Sequence, residues 1–174
     1  MNEPTTVIQG ERYRLMLLTP QLIRLEYAPD GIFEDRPTQK VQNRAFPPVE
    51  HRLWHTERGL ELSTAFMNVF YDEGPFSYGG LWVENRSECR GIYCTWHYGD
   101  ALTENLGGTA RTLDEADGPV PLEPGILSRL QGYSVLDDST SYALTEDGWI
   151  EPPRPGHQDL YFFSYGYAYR QALA

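Results

Sequence analysis

Short runs in which apolar and polar residues alternate, each ended by turn-forming residues, recur along this chain and restrict it more than any other feature. In Arg12–Thr19, Tyr13, Leu15 and Leu17 alternate with Arg14 and Met16, and in the next run Ile23, Leu25 and Tyr27 alternate with Arg24 and Glu26. Successive strand side chains point to opposite faces, so this period of two describes a sheet with one face in a core. The intervening Thr19-Pro20-Gln21 has a capping residue and a proline placed as at a helix start. Because the period of two resumes directly after it, we read a hairpin turn. The pattern continues with Leu60 and Leu62 after Gly59, Phe66–Tyr71, the turn Asp72-Glu73-Gly74-Pro75, Leu81–Glu84, Ile92–Trp96, Tyr133–Leu136, Ser141–Thr145 and Asp159–Tyr165. Many short strands, turns between them and no interleaved helices predict an all-β fold, a sandwich or barrel of antiparallel pairs.

Composition agrees where it bears on this. The chain has 12 Tyr, 7 Phe and 4 Trp, types that suit a half-buried pleated surface, and 16 Gly and 13 Pro leave little room for long helices. A domain of 174 residues can build its core without disulfide or metal. Two regions break the regularity. Gly99–Arg129 has no periodic run, and irregular stretches of that length are uncommon unless functional or disordered. After Tyr167 and Tyr169 the chain turns to good helix formers, Arg170 to Ala174, with no C-terminal cap. The chain is expected to stop as a helix begins, as a fragment of a larger protein would.

The net charge of −11, with Lys40 the single lysine, opposes binding to nucleic acids and to anionic membranes. The N-terminal MNEPTTVIQG lacks the basic and apolar regions of a signal peptide, and no run approaches the ~18 apolar residues of a membrane span. A cytoplasmic protein is expected. Cys89 and Cys94 do not form a disulfide framework, and on one strand they would be too far apart to bond, so free thiols are expected.

Chemistry-bearing patterns are sparse. Asp114, Glu115 and Asp117 cluster in the long irregular segment and Asp137-Asp138 follow a strand, but spacing singles out no general acid with its partner. Acids in a Gly/Pro-rich loop are ordinarily solvated. LDEADG fails as a calcium loop because Leu113 and Pro124 fall on ligand positions. His51 and His55 have a zinc-like spacing, yet Pro47, Pro48 and Trp54 argue against the helix it needs, and exposed histidines are expected. Gly107-Gly108 is too short for a nucleotide fingerprint, and Ser128, Ser139 and Ser141 lack a nucleophile elbow. Tyr161, Phe163, Tyr165, Tyr167 and Tyr169 fall on alternate positions. They could form a sugar platform, although core filling or cover by a neighbouring domain is the commoner outcome.

Several segments together resemble glycoside hydrolase family 31, which includes α-glucosidases and α-xylosidases. They are Asp30-Gly31-Ile32-Phe33-Glu34-Asp35-Arg36-Pro37-Thr38, Gly74-Pro75-Phe76-Ser77, Asn105-Leu106-Gly107-Gly108-Thr109-Ala110-Arg111-Thr112-Leu113-Asp114, Tyr133–Ser139, and the closing DLYFFSYGYAYRQALA. The resemblance implies an N-terminal β-sandwich of galactose-mutarotase-like type over residues 1–165, then the start of a linker helix at 166–174 leading to a catalytic (β/α)₈ barrel. It implies that both catalytic carboxylates belong to the barrel, since this chain has no Trp-x-Asp-Met-Asn type motif. The chain alone is then expected to be inactive, with no metal and no cofactor. Its implied partners are that barrel and an α-linked oligosaccharide. The resemblance also implies a loop lent to the sugar site, where Asp138 and then Asp137 are the candidate substrate-binding residues. One departure is Asn105-Leu106-Gly107-Gly108 where many members have Gly-Leu-Gly-Glu, so that glutamate's role is not carried over. A free-standing carbohydrate-binding module is the alternative. A sugar epimerase ranks lower, because the four histidines stand in no context that would pair one with a catalytic carboxylate.

Overall fold

The computed structural model describes residues 5–89, 94–108 and 113–174. Along the chain the strands are β1 (Thr6–Gln9), β2 (Tyr13–Thr19), β3 (Leu22–Tyr27), β4 (Arg52–Thr56), β5 (Gly59–Ser63) and β6 (Met67–Tyr71). They continue as β7 (Leu81–Asn85), β8 (Thr95–His97), β9 (Ser134–Asp137), β10 (Ala143–Leu144), β11 (Ile150–Glu151) and β12 (Gln158–Phe163). A single helical turn, α1 (Tyr169–Ala172), follows. Every strand pairing is antiparallel.

Two five-stranded sheets form the body. The first has the order β1-β2-β3-β12-β9 and the second β4-β5-β6-β7-β8, while β10 and β11 make a separate hairpin. The inward positions of the first sheet, among them Leu15, Leu17, Ile23, Leu25 and Phe162, share one buried cluster with Leu60, Leu62, Val69, Leu81 and Val83 of the second. This is an all-β sandwich. The alternation read in β2, β3, β5 and β7 is therefore the alternation between this core and the outer faces. The turn at Thr19 forms as expected: the Thr19 hydroxyl accepts the Gln21 N–H at 3.1 Å, and β2 and β3 pair across it.

The outer face of the first sheet is buried too over β2, β3 and β12, though not over the edge strand β1. The stretch 38–48 lies across it, and Val41 and Phe46 pack with Met16, Leu18, Tyr161 and Phe163 in a second apolar cluster. Beside that cluster the face is ionic. Arg24 is fully buried and donates to both Asp159 oxygens at 2.9 and 2.7 Å, while its Nη2 lies 3.2 Å from Glu26. Arg14 closes the row on the other Glu26 oxygen at 2.8 Å. Removing charges from water is costly unless they are paired. Here Arg14 has Glu26 opposite it on the neighbouring strand, while Arg24, set opposite Met16 and Tyr161, reaches along the sheet to the facing carboxylates Glu26 and Asp159.

The cysteines differ from expectation. Cys89 and Cys94 are disulfide-bonded with Cα atoms 6.6 Å apart. They do not share a strand: β7 ends at Asn85 and its antiparallel partner β8 begins at Thr95, so both cysteines belong to the connection between these strands. Of the strand expected over Ile92–Trp96, only the end lies in β8, and residues 92 and 93 are outside the described residues. The Ser141–Thr145 run shrinks to Ala143–Leu144. No helix among the described residues is long and apolar enough to cross a membrane.

Candidate functional site at the turn after β9

Strand β9 ends on Asp137 with Asp138 directly after it, and the two candidate acids send their side chains in opposite directions. The Asp138 N–H donates to the Asp159 carbonyl at 2.8 Å, extending the β9–β12 ladder by one residue. The Ser139 N–H then donates to the Asp137 carboxylate at 2.9 Å, and the Ser141 N–H to the Asp138 carbonyl at 3.0 Å. Such side-chain and backbone bonds are why Asp and Ser favour tight turns. Asp137 is left at the surface, and Asp138 points inside, with a side chain of 0% exposure.

Asp138 meets residues from a distant part of the chain. Its Oδ2 accepts the Thr38 hydroxyl at 2.8 Å and lies 3.5 Å from Arg44 Nη2. Arg44 is held from two further sides, donating from Nε to the Tyr161 hydroxyl at 2.5 Å and from Nη1 to the Arg36 carbonyl at 2.7 Å. Among the described residues two buried side-chain atoms remain without a hydrogen bond: Asp138 Oδ1, an acceptor, and Arg44 Nη2, a donor. Burial pushes the Asp138 carboxyl above its ordinary range, against the Thr38 hydroxyl and the charge of Arg44, which favour the ionised form.

The turn separates two spaces. On the inner side is a cavity of about 40 Å³, bordered by Glu26, Glu34, Thr38, Asp138, His157 and Asp159. Glu26 is also raised, chiefly by burial, while Arg24 and Arg14 pull the other way. Glu34 is lowered to about 2 by the Arg36 guanidinium. Asp30, at the mouth, is lowered by the Ile32 N–H and by His157, whose Nε2 stands 2.9 Å away. On the other side is a cleft of about 500 Å³ at the open edge between β8 and β9, where Asp137 meets Trp96, Tyr98, Asp100, Leu136 and Lys40. Lys40 donates to the Asp137 carbonyl at 2.7 Å.

The remaining expectations fall out as follows. Tyr161 is in the buried layer beneath Val41 and Phe46, and Phe163 packs beside it. Tyr165, Tyr167 and Tyr169 are half-buried, with hydroxyls bonded to Thr19, Leu130 and Ser128, so these five rings form no open platform. His55 is exposed on β4 and His51 is half-buried against the Val49 carbonyl. Asp114, Glu115 and Asp117 are exposed. Among the described residues, no three His, Cys, Asp or Glu side chains converge as around a metal ion. The sequence reading missed Thr38 and Arg44 as partners of Asp138. A signal for Thr38 existed, since it ends one of the quoted segments; Arg44 carried none.

No protein-family model matches the chain, and no curated protein is significantly similar to it in sequence.

Proposed function

We propose that this chain is the non-catalytic N-terminal sandwich, of galactose-mutarotase-like type, of a retaining α-glycosidase. It packs on a catalytic barrel and lends the turn after β9 to the sugar-binding site. The substrate class is an α-linked oligosaccharide, α-glucosidic first and α-xylosidic second, cleaved through a glycosyl-enzyme intermediate on a barrel carboxylate. One observation carries the reading. Asp30–Thr38 and Tyr133–Ser139, two of the segments on which the resemblance rests, are far apart in sequence and meet at Asp138, where Thr38 donates to its carboxylate at 2.8 Å. In this arrangement Asp137 is the group open to a sugar hydroxyl, and Asp138, clamped by Thr38 and Arg44, positions the turn.

The location in this reading is the cytoplasm. The Cys89–Cys94 pairing weighs against it, because thiols there are kept largely reduced.

Hydrolysis tests the proposal. The purified chain is expected to release no aryl group from aryl α-glucosides or α-xylosides. The product of the whole open reading frame is expected to cleave one of them with retention at the anomeric carbon, followed by proton NMR, and Asp137→Asn in it to raise KM more than it lowers kcat. Turnover by the chain alone, or a whole product inert on both substrates, overturns the reading.

A further inference from the structure

The outward positions of the second sheet form one continuous row. Trp54 is paired with Glu61, Glu61 with Phe70, Phe70 with Trp82 and Trp82 with His97, so five adjacent strands each place one side chain on a line across the outer face. Phe70 and Trp82 stack with centroids 5.6 Å apart, and Tyr78 stacks on His97 at 4.5 Å, extending the row beyond β8. The solvent face of an antiparallel sheet is ordinarily polar. This one carries rings, with Trp54 and Tyr78 at its ends 48% and 61% exposed, while Phe70 at its centre is buried beneath Trp82 and Arg58.

The row also has a built hollow. The β4–β5 turn rises beside Phe70 and Trp82 and encloses about 340 Å³, walled by Thr56, Glu57, Arg58 and Glu61. The Arg58 guanidinium lies 5.5 Å from the Phe70 ring centroid. The side chains of Glu57, Arg58 and Glu61 make no hydrogen bond or ion pair with any described residue. An apolar wall with a few uncommitted polar groups is the usual constitution of a ligand site.

Charge narrows the occupant. An anion drawn by Arg58 is repelled by Glu57 and Glu61, and a cation meets the reverse. A neutral molecule rich in hydroxyls satisfies both signs, donating to the carboxylates and accepting from the guanidinium, while its C–H faces pack on the rings. Four strand spacings of ~4.8 Å make the row ~19 Å long, which suits a short linear chain better than a single sugar. We infer that the Trp54–His97 row is a binding surface for a neutral linear oligosaccharide. It lies on the opposite sheet from Asp137 and Asp138 and does not depend on the α-glycosidase reading.

Titration of the chain with maltohexaose, cellohexaose and xylohexaose, followed by tryptophan fluorescence and calorimetry, tests this. At least one of them is expected to saturate the chain at millimolar concentration or below. Trp82→Ala should abolish that binding and Arg58→Ala weaken it at least tenfold, while Trp149→Ala, on the separate β10–β11 hairpin, should leave it unchanged. Hexagalacturonate and chitosan hexamer, the charged counterparts, should bind more weakly. If Trp82→Ala fails to fold by circular dichroism, Arg58→Ala and Glu61→Gln decide, and wild-type affinity in both overturns the inference. So does the absence of binding by all three neutral probes, or tighter binding of a charged one. Affinity that falls in Asp137→Asn but in no row variant places the sugar at the turn after β9, overturning this inference and leaving the proposed function standing.

Discussion

Asp138 holds a charge where water does not reach it, and its neighbours compensate only in part: Thr38 and Arg44 serve one oxygen and the other has no hydrogen bond. A carboxyl raised in the folded state binds its proton before the unfolded chain does. Over that window the folded state holds more protons, so stability falls as pH rises and grows as pH falls toward the ordinary value of 3.8. Glu26 acts in the same direction. Glu34 acts in the other, because Arg36 depresses it to about 2, and the stability it contributes is lost as pH drops below 4.5. Urea unfolding at a series of pH values should therefore show a maximum on the acid side of neutrality. Asp138→Asn cannot take up that proton, so its stability relative to wild type should decline as pH is lowered from neutral. A constant difference across the series would mean that Asp138 titrates with an ordinary value.

Among the elements, the long irregular segment has its two ends tied by backbone bonds, Leu106 to Leu127 and Gly108 to Glu123, and by one side chain that bonds four times. Asn105 donates to the Gly125 carbonyl at 2.8 Å and to the Ser134 hydroxyl at 3.0 Å, and accepts the N–H groups of Gly107 and Gly125. Gly107 has φ 81°, and a Cβ at Gly125 would fall on the Gly107 carbonyl, so the two ends of this loop close on each other through glycine. Asn105→Ala leaves these partners unsatisfied and should cost about 1–3 kcal/mol. Limited proteolysis should then cut between residues 106 and 127 well before the strands; a variant as resistant as wild type would show the loop held by other contacts. The sequence marked Gly99–Arg129 as irregular, but nothing in its pattern assigned this task to Asn105. Strands were legible where one face enters the core, as in β2, β3, β5 and β7. They were missed in β1 and β4, edge strands with few buried residues and hence no apolar period. The site was legible at Asp137 and Asp138 through the resemblance alone. Its charged surroundings were not, because alternation in β2 and β3 gives Arg14, Arg24 and Glu26 the look of solvent-facing residues. A period of two distinguishes two faces of a sheet without saying whether water or a strap of chain covers the second.

At the scale of the molecule, the two sheets are built differently although each has five strands. The first is buried on both faces in its central strands β2, β3 and β12, by the core on one side and by residues 38–48 with the ionic layer on the other. The second faces solvent with its aromatic row, and its edge strand β4 has four exposed residues among five. Local opening follows buried contacts and protected hydrogen bonds, so the sheets should differ in amide exchange under native conditions. The slowest peptides are expected from β2, β3 and β12, where β3 is flanked on both sides by long partners, Tyr13–Thr19 and Gln158–Phe163. The fastest strands are expected to be β4 and the two-residue pair β10 and β11, since an isolated two-stranded hairpin is marginal in water. Exchange in β3 as fast as in β4 would mean that residues 38–48 lift away from the sheet in solution. The buried pairing of Asp138 with Thr38 and Arg44 would then be broken for part of the time, and the carboxylate would be as open to solvent as Asp137. The exchange rate of β3 thus reports on how exposed the Asp138 carboxylate becomes as well as on stability.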